Sequence, residues 1–106
     1  MSRHEVPSER LPAPGGRTLL RLDGRCVALF RVEDEYLAID DSCPHQGASL
    51  AGGRVEGGAV QCPAHGLRFD LRSGCLRNAP QLRVAVYPID IEQGRVFIRL
   101  PDQESL

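Results

Sequence analysis

The chain has no tryptophan and no lysine, and aromatic residues fill only 5% of its 106 positions. Without large aromatic anchors the core must be built from Val, Leu, Ile and Ala, which leaves room for a bound inorganic group to supplement it. All thirteen basic residues are arginine. That pattern fits GC-rich coding, although the planar, weakly hydrated guanidinium also suits docking surfaces better than an ammonium does. Charge of one sign is lacking too: thirteen basic against fourteen acidic residues leave a net charge of -1. Nucleic acid is therefore excluded as a partner, since phosphate binding needs a concentrated positive face. Long apolar runs are missing as well. The longest, Val27-Ala28-Leu29-Phe30, falls far short of the roughly eighteen residues of a membrane span. The opening MSRHEVPSERLPAPGG also lacks the apolar segment of a secretory signal. These absences predict a soluble, cytoplasmic protein with no membrane partner. In that reducing compartment four cysteines argue for metal ligation or burial before disulfides.

What is present is punctuation. A chain of this length makes one domain, spanning residues 1–106. Pro and Gly recur too often for any long helix. A short strand is expected around His4 to Val6, followed by the extended segment Leu11-Pro12-Ala13-Pro14-Gly15-Gly16. From Arg17 onward, short runs of Leu, Val and Ile alternate with turn signals at Asp23-Gly24, Glu33-Asp34, Gly57-Gly58, Ser73-Gly74 and Gln93-Gly94. Asp-Gly suits a type I′ hairpin, whose two central residues need positive φ. Strands are predicted at 17–22, 25–32, 35–39, 54–56, 59–61, 67–70, 83–87, 89–92 and 95–99, which gives an all-β, antiparallel sandwich or barrel. Cys26 alternates with Ala28, Phe30 and Val32 on one strand face and is predicted to be buried in the core.

Two loops carry the chemistry. CPHQGASL begins at Cys43 and CPAHGLRFD at Cys62, so Cys43-x-His45 is followed, after sixteen residues, by Cys62-x-x-His65. Thiolate and imidazole are the ligands of zinc, copper and iron–sulfur centres. Two loops at strand ends, each giving one sulfur and one nitrogen, can converge on one metal site. A Cys2His2 zinc site, and with it a zinc-stabilised interaction module, is the competing reading. Zinc sites of that type usually pair Cys with Cys on one knuckle and His with His on a helix, whereas both loops here are mixed and no helix is expected.

CPHQG and CPAHG resemble the cluster loops of Rieske iron–sulfur proteins, and the strand order around them is similar from about Val6 to Leu100. The resemblance implies a Rieske-like antiparallel β fold with a small cluster-binding subdomain made of two hairpin loops, at about 43–50 and 62–70. It implies one [2Fe–2S] cluster per chain, with Cys43 and Cys62 on one iron and His45 and His65 on the other. A third loop at about 73–81, Ser73-Gly74-Cys75-Leu76-Arg77-Asn78-Ala79-Pro80, would cover the cluster through Pro80. Cys75 beside it is read as a structural thiol. Asp40, Asp41, Arg54, Arg68, Arg72 and Arg77 are read as solvated charge around the site, available to shape a docking face.

Departures from the family's high-potential members are informative. Ala48 and Ala64 occupy the places of two disulfide cysteines, and Leu67 and Phe69 those of a serine and a tyrosine that donate to cluster sulfurs. Fewer donors predict a low potential. The resemblance implies that His45 and His65 sit at an exposed tip and form the path for the electron. Neither a second metal triad nor a nucleophile–base pair is visible, so an electron carrier is expected in place of an enzyme. The implied role is a ferredoxin component passing single electrons from a flavin-dependent reductase to a ring-hydroxylating or related oxygenase. The small subunit of an assimilatory NADH-dependent nitrite reductase is the alternative within the family.

Overall fold

The computed structural model describes residues 2–41, 49–62, 66–77 and 79–101, without the side chains of Ala79 and Pro80. The chain forms β1 (Ser2–Glu5), β2 (Arg17–Leu22), β3 (Arg25–Val32), β4 (Glu35–Asp40), β5 (Arg54–Glu56), β6 (Ala59–Gln61), β7 (Arg68–Asp70), β8 (Cys75–Leu76), β9 (Ala79–Arg83), β10 (Val86–Tyr87), β11 (Ile89–Glu92) and β12 (Arg95–Leu100). Short 3-10 turns occur at Ser8–Arg10 and Leu50–Gly52. The expected antiparallel all-β fold is what forms. At Asp23-Gly24 the φ values of 51° and 78° are both positive, as a type I′ turn demands, and the same sign pattern recurs at Gln93-Gly94.

Three sheets result, with strand orders β1-β12-β11, β10-β4-β3-β2 and β5-β6-β7-β8-β9. The middle one is packed on both faces. Ala28, Phe30 and Ile39 point into a cluster with Val60, Phe69, Leu71 and Leu76 of the five-stranded sheet. Val27, Leu29 and Ala38 point the other way, to Val96, Ile98 and Leu100 of the three-stranded sheet. This arrangement overturns the expectation for Cys26, which is exposed. Its alternation with Ala28 and Phe30 presumed a strand buried on one face. In fact β3 is buried on both faces only along Val27–Phe30, and Cys26, paired with Arg21 near the strand's start, lies beyond that overlap.

The segment predicted as a loop over 73–81 is largely strand. β8 pairs with both β7 and β9, with a register shift at Cys75 and Leu76. Gly74 accepts a bond from the Val84 N–H at 2.9 Å and donates to the Asp70 carbonyl at 2.8 Å, and the Arg77 N–H reaches the Arg68 carbonyl at 2.9 Å. These bonds satisfy backbone groups that a loop would leave to water. The loop expectation came from the resemblance, and ladder partners distant in sequence are not visible in local composition.

On the outer face of the three-stranded sheet, the Phe97 ring lies between the Arg3 and Arg95 guanidinium carbons, 4.3 and 5.2 Å from its centroid. Arg95 bonds Glu5 and Arg99 bonds Asp90. Exposed pairs of this kind are worth about 0–1 kcal/mol, whereas burying an Ile or Leu side chain gives roughly 1.5–3 kcal/mol, so Ile98 and Leu100 hold this sheet down. The pairs set its acid response. The hydrogen bond from Arg95 lowers the Glu5 carboxyl pKa, and the one from Arg99 lowers that of Asp90. Carboxylates whose folded pKa is depressed contribute stability above their unfolded values, 4.5 and 3.8 here, and lose it as pH falls through the folded ones. Urea titrations are therefore expected to show a midpoint that is flat above pH 5 and declines below it, with a shallower decline in Asp90→Asn.

Candidate metal centre

The described part of the site is the end of the five-stranded sheet where β6 stops and β7 begins. β6 delivers Cys62, which is fully buried among Leu50, Val60, Phe69 and Leu71. The Cys62 N–H donates to the Leu67 carbonyl at 2.7 Å, and the Gly66 N–H donates to the Cys62 carbonyl at 2.9 Å. These two bonds tie Cys62 to Gly66 and Leu67, fixing the direction in which the chain leaves Cys62 and returns to β7. The Cys62 thiol is free of any disulfide. Beside it opens a cavity of about 380 Å³ lined by Gly52, Gly53, Arg54, Gln61, Cys62 and Gly66. Cys43, His45 and His65 lie outside the described residues, as do Ala48 and Ala64.

The base of the first loop is fastened by a residue that the sequence reading had assigned to solvated charge. Asp41 is only 6% exposed. Its Oδ1 accepts from the Ser49 hydroxyl at 2.9 Å and from the Ala51 N–H at 2.7 Å, and its carbonyl accepts from the Leu50 N–H at 2.6 Å. Asp41 thus clamps the two ends of the segment that carries Cys43 and His45. The signal available in sequence was an Asp-Asp-Ser stretch before the loop and a Ser after it, a common composition for side-chain-to-backbone bonds.

Two further supports come from below and beside. From β2, the Arg17 guanidinium lies 5.6 Å from the Phe30 ring centroid and donates to the carbonyls of Ala51 and Gly53. Gly53 runs so close to β6 that a Cβ there would overlap the Gln61 carbonyl oxygen and sit 3.0 Å from Val60 Cγ2. On the other flank, Asp70 Oδ1 accepts from the N–H groups of Arg72 and Ser73 at 2.8 and 3.0 Å. The Ser73 N–H is the main reason its carboxyl pKa is lowered. That turn leads into β8 and Cys75, which is half-buried, with its N–H bonded to the Ser73 hydroxyl at 3.2 Å. Pro80 lies on β9 and its side chain is not among those described.

Cys62, the one described donor, suits a sulfur ligand of an iron–sulfur group. A soft thiol held in a water-poor pocket, tied to Gly66 and Leu67 by backbone bonds and next to glycines that leave space, is what a sulfur ligand needs. Among the described residues no group of three or more His, Cys, Asp and Glu is placed to bind a metal ion. Any such centre must therefore draw on the adjoining loops.

An antiparallel β scaffold thus offers one buried cysteine, Cys62, at the end of a sheet. The family model for the Rieske [2Fe-2S] domain matches residues 4–88, and the chain belongs to that family. It is 40% identical over 90 residues to the 3-phenylpropionate/cinnamic acid dioxygenase ferredoxin subunit of Shigella flexneri serotype 5b (strain 8401), covering 80% of this chain and 83% of that one. The ferredoxin of carbazole 1,9a-dioxygenase from Nocardioides aromaticivorans IC177 superposes with a TM-score of 0.81 at 26% identity, over 92% of this chain and 97% of that one. A Mycobacterium tuberculosis chain assigned as an NADH-dependent nitrite reductase small subunit gives 0.81 at 29% identity, over 95% and 97%. As a member of the Rieske family the chain has a [2Fe–2S] cluster as its cofactor, and its curated relatives are ferredoxin subunits, electron carriers of dioxygenase systems. Family membership displaces the zinc-stabilised module.

Proposed function

We propose that the chain, as one domain over residues 1–106, is the cytoplasmic ferredoxin of a multicomponent oxygenase, receiving single electrons from a flavin-dependent reductase and delivering them to a ring-hydroxylating or related oxygenase. Cys43 and Cys62 would hold one iron, and His45 and His65 the other. When bound, the cluster supplies a single reversible one-electron couple. The chain's part is to bury Cys62, to tie it to Gly66 and Leu67, and to hold Asp41 against Ser49, Leu50 and Ala51. Among the described residues no helix is long and apolar enough to cross a membrane. The observation that carries the reading is the buried, disulfide-free Cys62 tied by its backbone to Gly66 and Leu67. Anaerobic purification followed by dithionite reduction tests it: a brown protein with a Rieske-type EPR spectrum is expected, and a colourless one overturns it. A nitrite reductase subunit would instead copurify with a large sirohaem flavoprotein, and the likeness to the Mycobacterium tuberculosis chain keeps that alternative open.

The potential follows from the residues around the turn. Phe69 is buried and Leu67 half-buried, both packed in the apolar cluster with Cys62. Neither side chain can donate a hydrogen bond to a sulfur. Potentiometry is expected to place the couple near the lower end of the roughly -150 to +300 mV range of Rieske centres. Leu67→Ser should raise it by an amount on the order of tens of millivolts. A wild-type value well above zero contradicts this account.

A further inference from the structure

The five-stranded sheet carries its charge unevenly. Its register sets Arg54 opposite Gln61 and Gln61 opposite Arg68, so these side chains share one row across β5, β6 and β7. Two residues along each strand, the parallel row reads Glu56, Ala59 and Asp70. The arginine row abuts Cys62 and Gly66, while the acidic row lies at the opposite end of the strands. Arg77 bonds the Arg68 carbonyl through its backbone N–H, but its guanidinium is turned to the other end of the strands, where it bonds the Gly57 carbonyl. Gly66 is shared by two cavities, one lined by Arg54 and Cys62, the other of about 280 Å³ lined by Leu67, Arg68, Leu76 and Arg77. Guanidinium groups therefore stand on both sides of the turn that carries the proposed ligands.

These charges are largely available. Arg68 is exposed and makes no ion pair among the described residues. Arg54 meets Glu56 at 3.5 Å, but the two side chains are 79% and 64% exposed, so water and salt screen the pair. Arg77, by contrast, is held away from this row by its 2.6 Å bond to the Gly57 carbonyl and by Asp70, 3.8 Å away. Half-buried Leu67 sits beside Arg68. An apolar centre with a charged rim is the usual composition of a docking patch, and guanidinium pairs best with carboxylate.

We propose that Arg54 and Arg68, around Leu67, form the docking rim for a redox partner whose own docking face is rich in carboxylates. The proposal rests on the electron-carrier reading. It also runs against the molecule's net charge of -1, which by itself predicts weak repulsion of an acidic partner. Local field and net charge thus give opposite signs, and sign is measurable.

The experiment follows oxidation of the dithionite-reduced holoprotein by two probe acceptors, an acidic plastocyanin and a basic cytochrome c. One electron passes from the reduced protein to Cu(II) or to ferric haem, with no bond made or broken. At low ionic strength the plastocyanin rate should fall as salt is added, while the cytochrome c rate should stay level or rise. Arg68→Glu should lower the plastocyanin rate about tenfold and raise the cytochrome c rate. Arg21→Glu changes net charge equally at an exposed position of β2 facing Cys26, and it should leave the ratio of the two rates unchanged. EPR spectra and potentials of both variants establish that the cluster is intact. With normal spectra, equal effects of the two substitutions, or a wild-type protein that prefers cytochrome c in low salt, overturn the rim. Preparations without a cluster spectrum overturn the carrier reading and the rim with it.

Discussion

Cys62→Ala is expected to yield a folded but nearly colourless protein, with bound iron and inorganic sulfide reduced by about tenfold or more. Two accounts of Cys62 differ sharply in what they predict. If the thiol were only part of the apolar cluster it shares with Phe69 and Leu71, losing one sulfur atom would cost on the order of 1 kcal/mol of stability and leave metal content alone. As one of four ligands its loss removes an anionic donor that the other three cannot replace. Metal and sulfide analysis alongside circular dichroism separates the accounts. Cys26→Ala and Cys75→Ala serve as references: the exposed Cys26 and the half-buried Cys75 should retain full colour. Unaltered absorbance in Cys62→Ala would remove Cys62 from the ligand set.

Gly53→Ala is expected to destabilise the holoprotein by about 2–3 kcal/mol, a fall in Tm of roughly 10–20 °C for a domain of this size. Backbone conformation is not the cause, because Gly53 has an ordinary extended φ of -82°. Crowding is. The added methyl would overlap the Gln61 carbonyl, and Gln61 is bound in the ladder to both Arg54 and Arg68, so it has nowhere to retreat. Gly52 provides the comparison within the same turn: a Cβ there meets nothing within 4 Å, and Gly52→Ala should melt within about 0.5 kcal/mol of wild type. Equal melting of the two variants would mean that β5 and β6 do not approach as described.

Much of the scaffold was legible because hairpins announce themselves locally. Pairs such as Asp23-Gly24 and Gln93-Gly94 mark where the chain reverses, and the apolar runs between them are too short for anything but strands. β2, β3, β5, β6 and β11 begin and end where those signals put them. Long-range partnership was harder to read. Cys26 was misplaced because alternation along β3 does not tell which residues a neighbouring sheet overlaps. β8 and part of β9 were read as loop because the resemblance implied one there, and their ladder partners lie in β7 and in each other. Asp41 looked like one of many surface acids until its hydrogen bonds across the loop base were seen. The proposed ligand types rest on the sequence, since a thiol and an imidazole recurring in two similar loops have few other chemical reasons to do so.

The three-stranded sheet brings Ser2 directly opposite Leu100, and it packs on the other face of the middle sheet from the strands that carry Cys62. Anything fused near either position, such as an affinity handle or a linker to an electrode, is therefore anchored on the side remote from Cys62. A monolayer tethered through either attachment point would leave the Cys62 side turned toward solution.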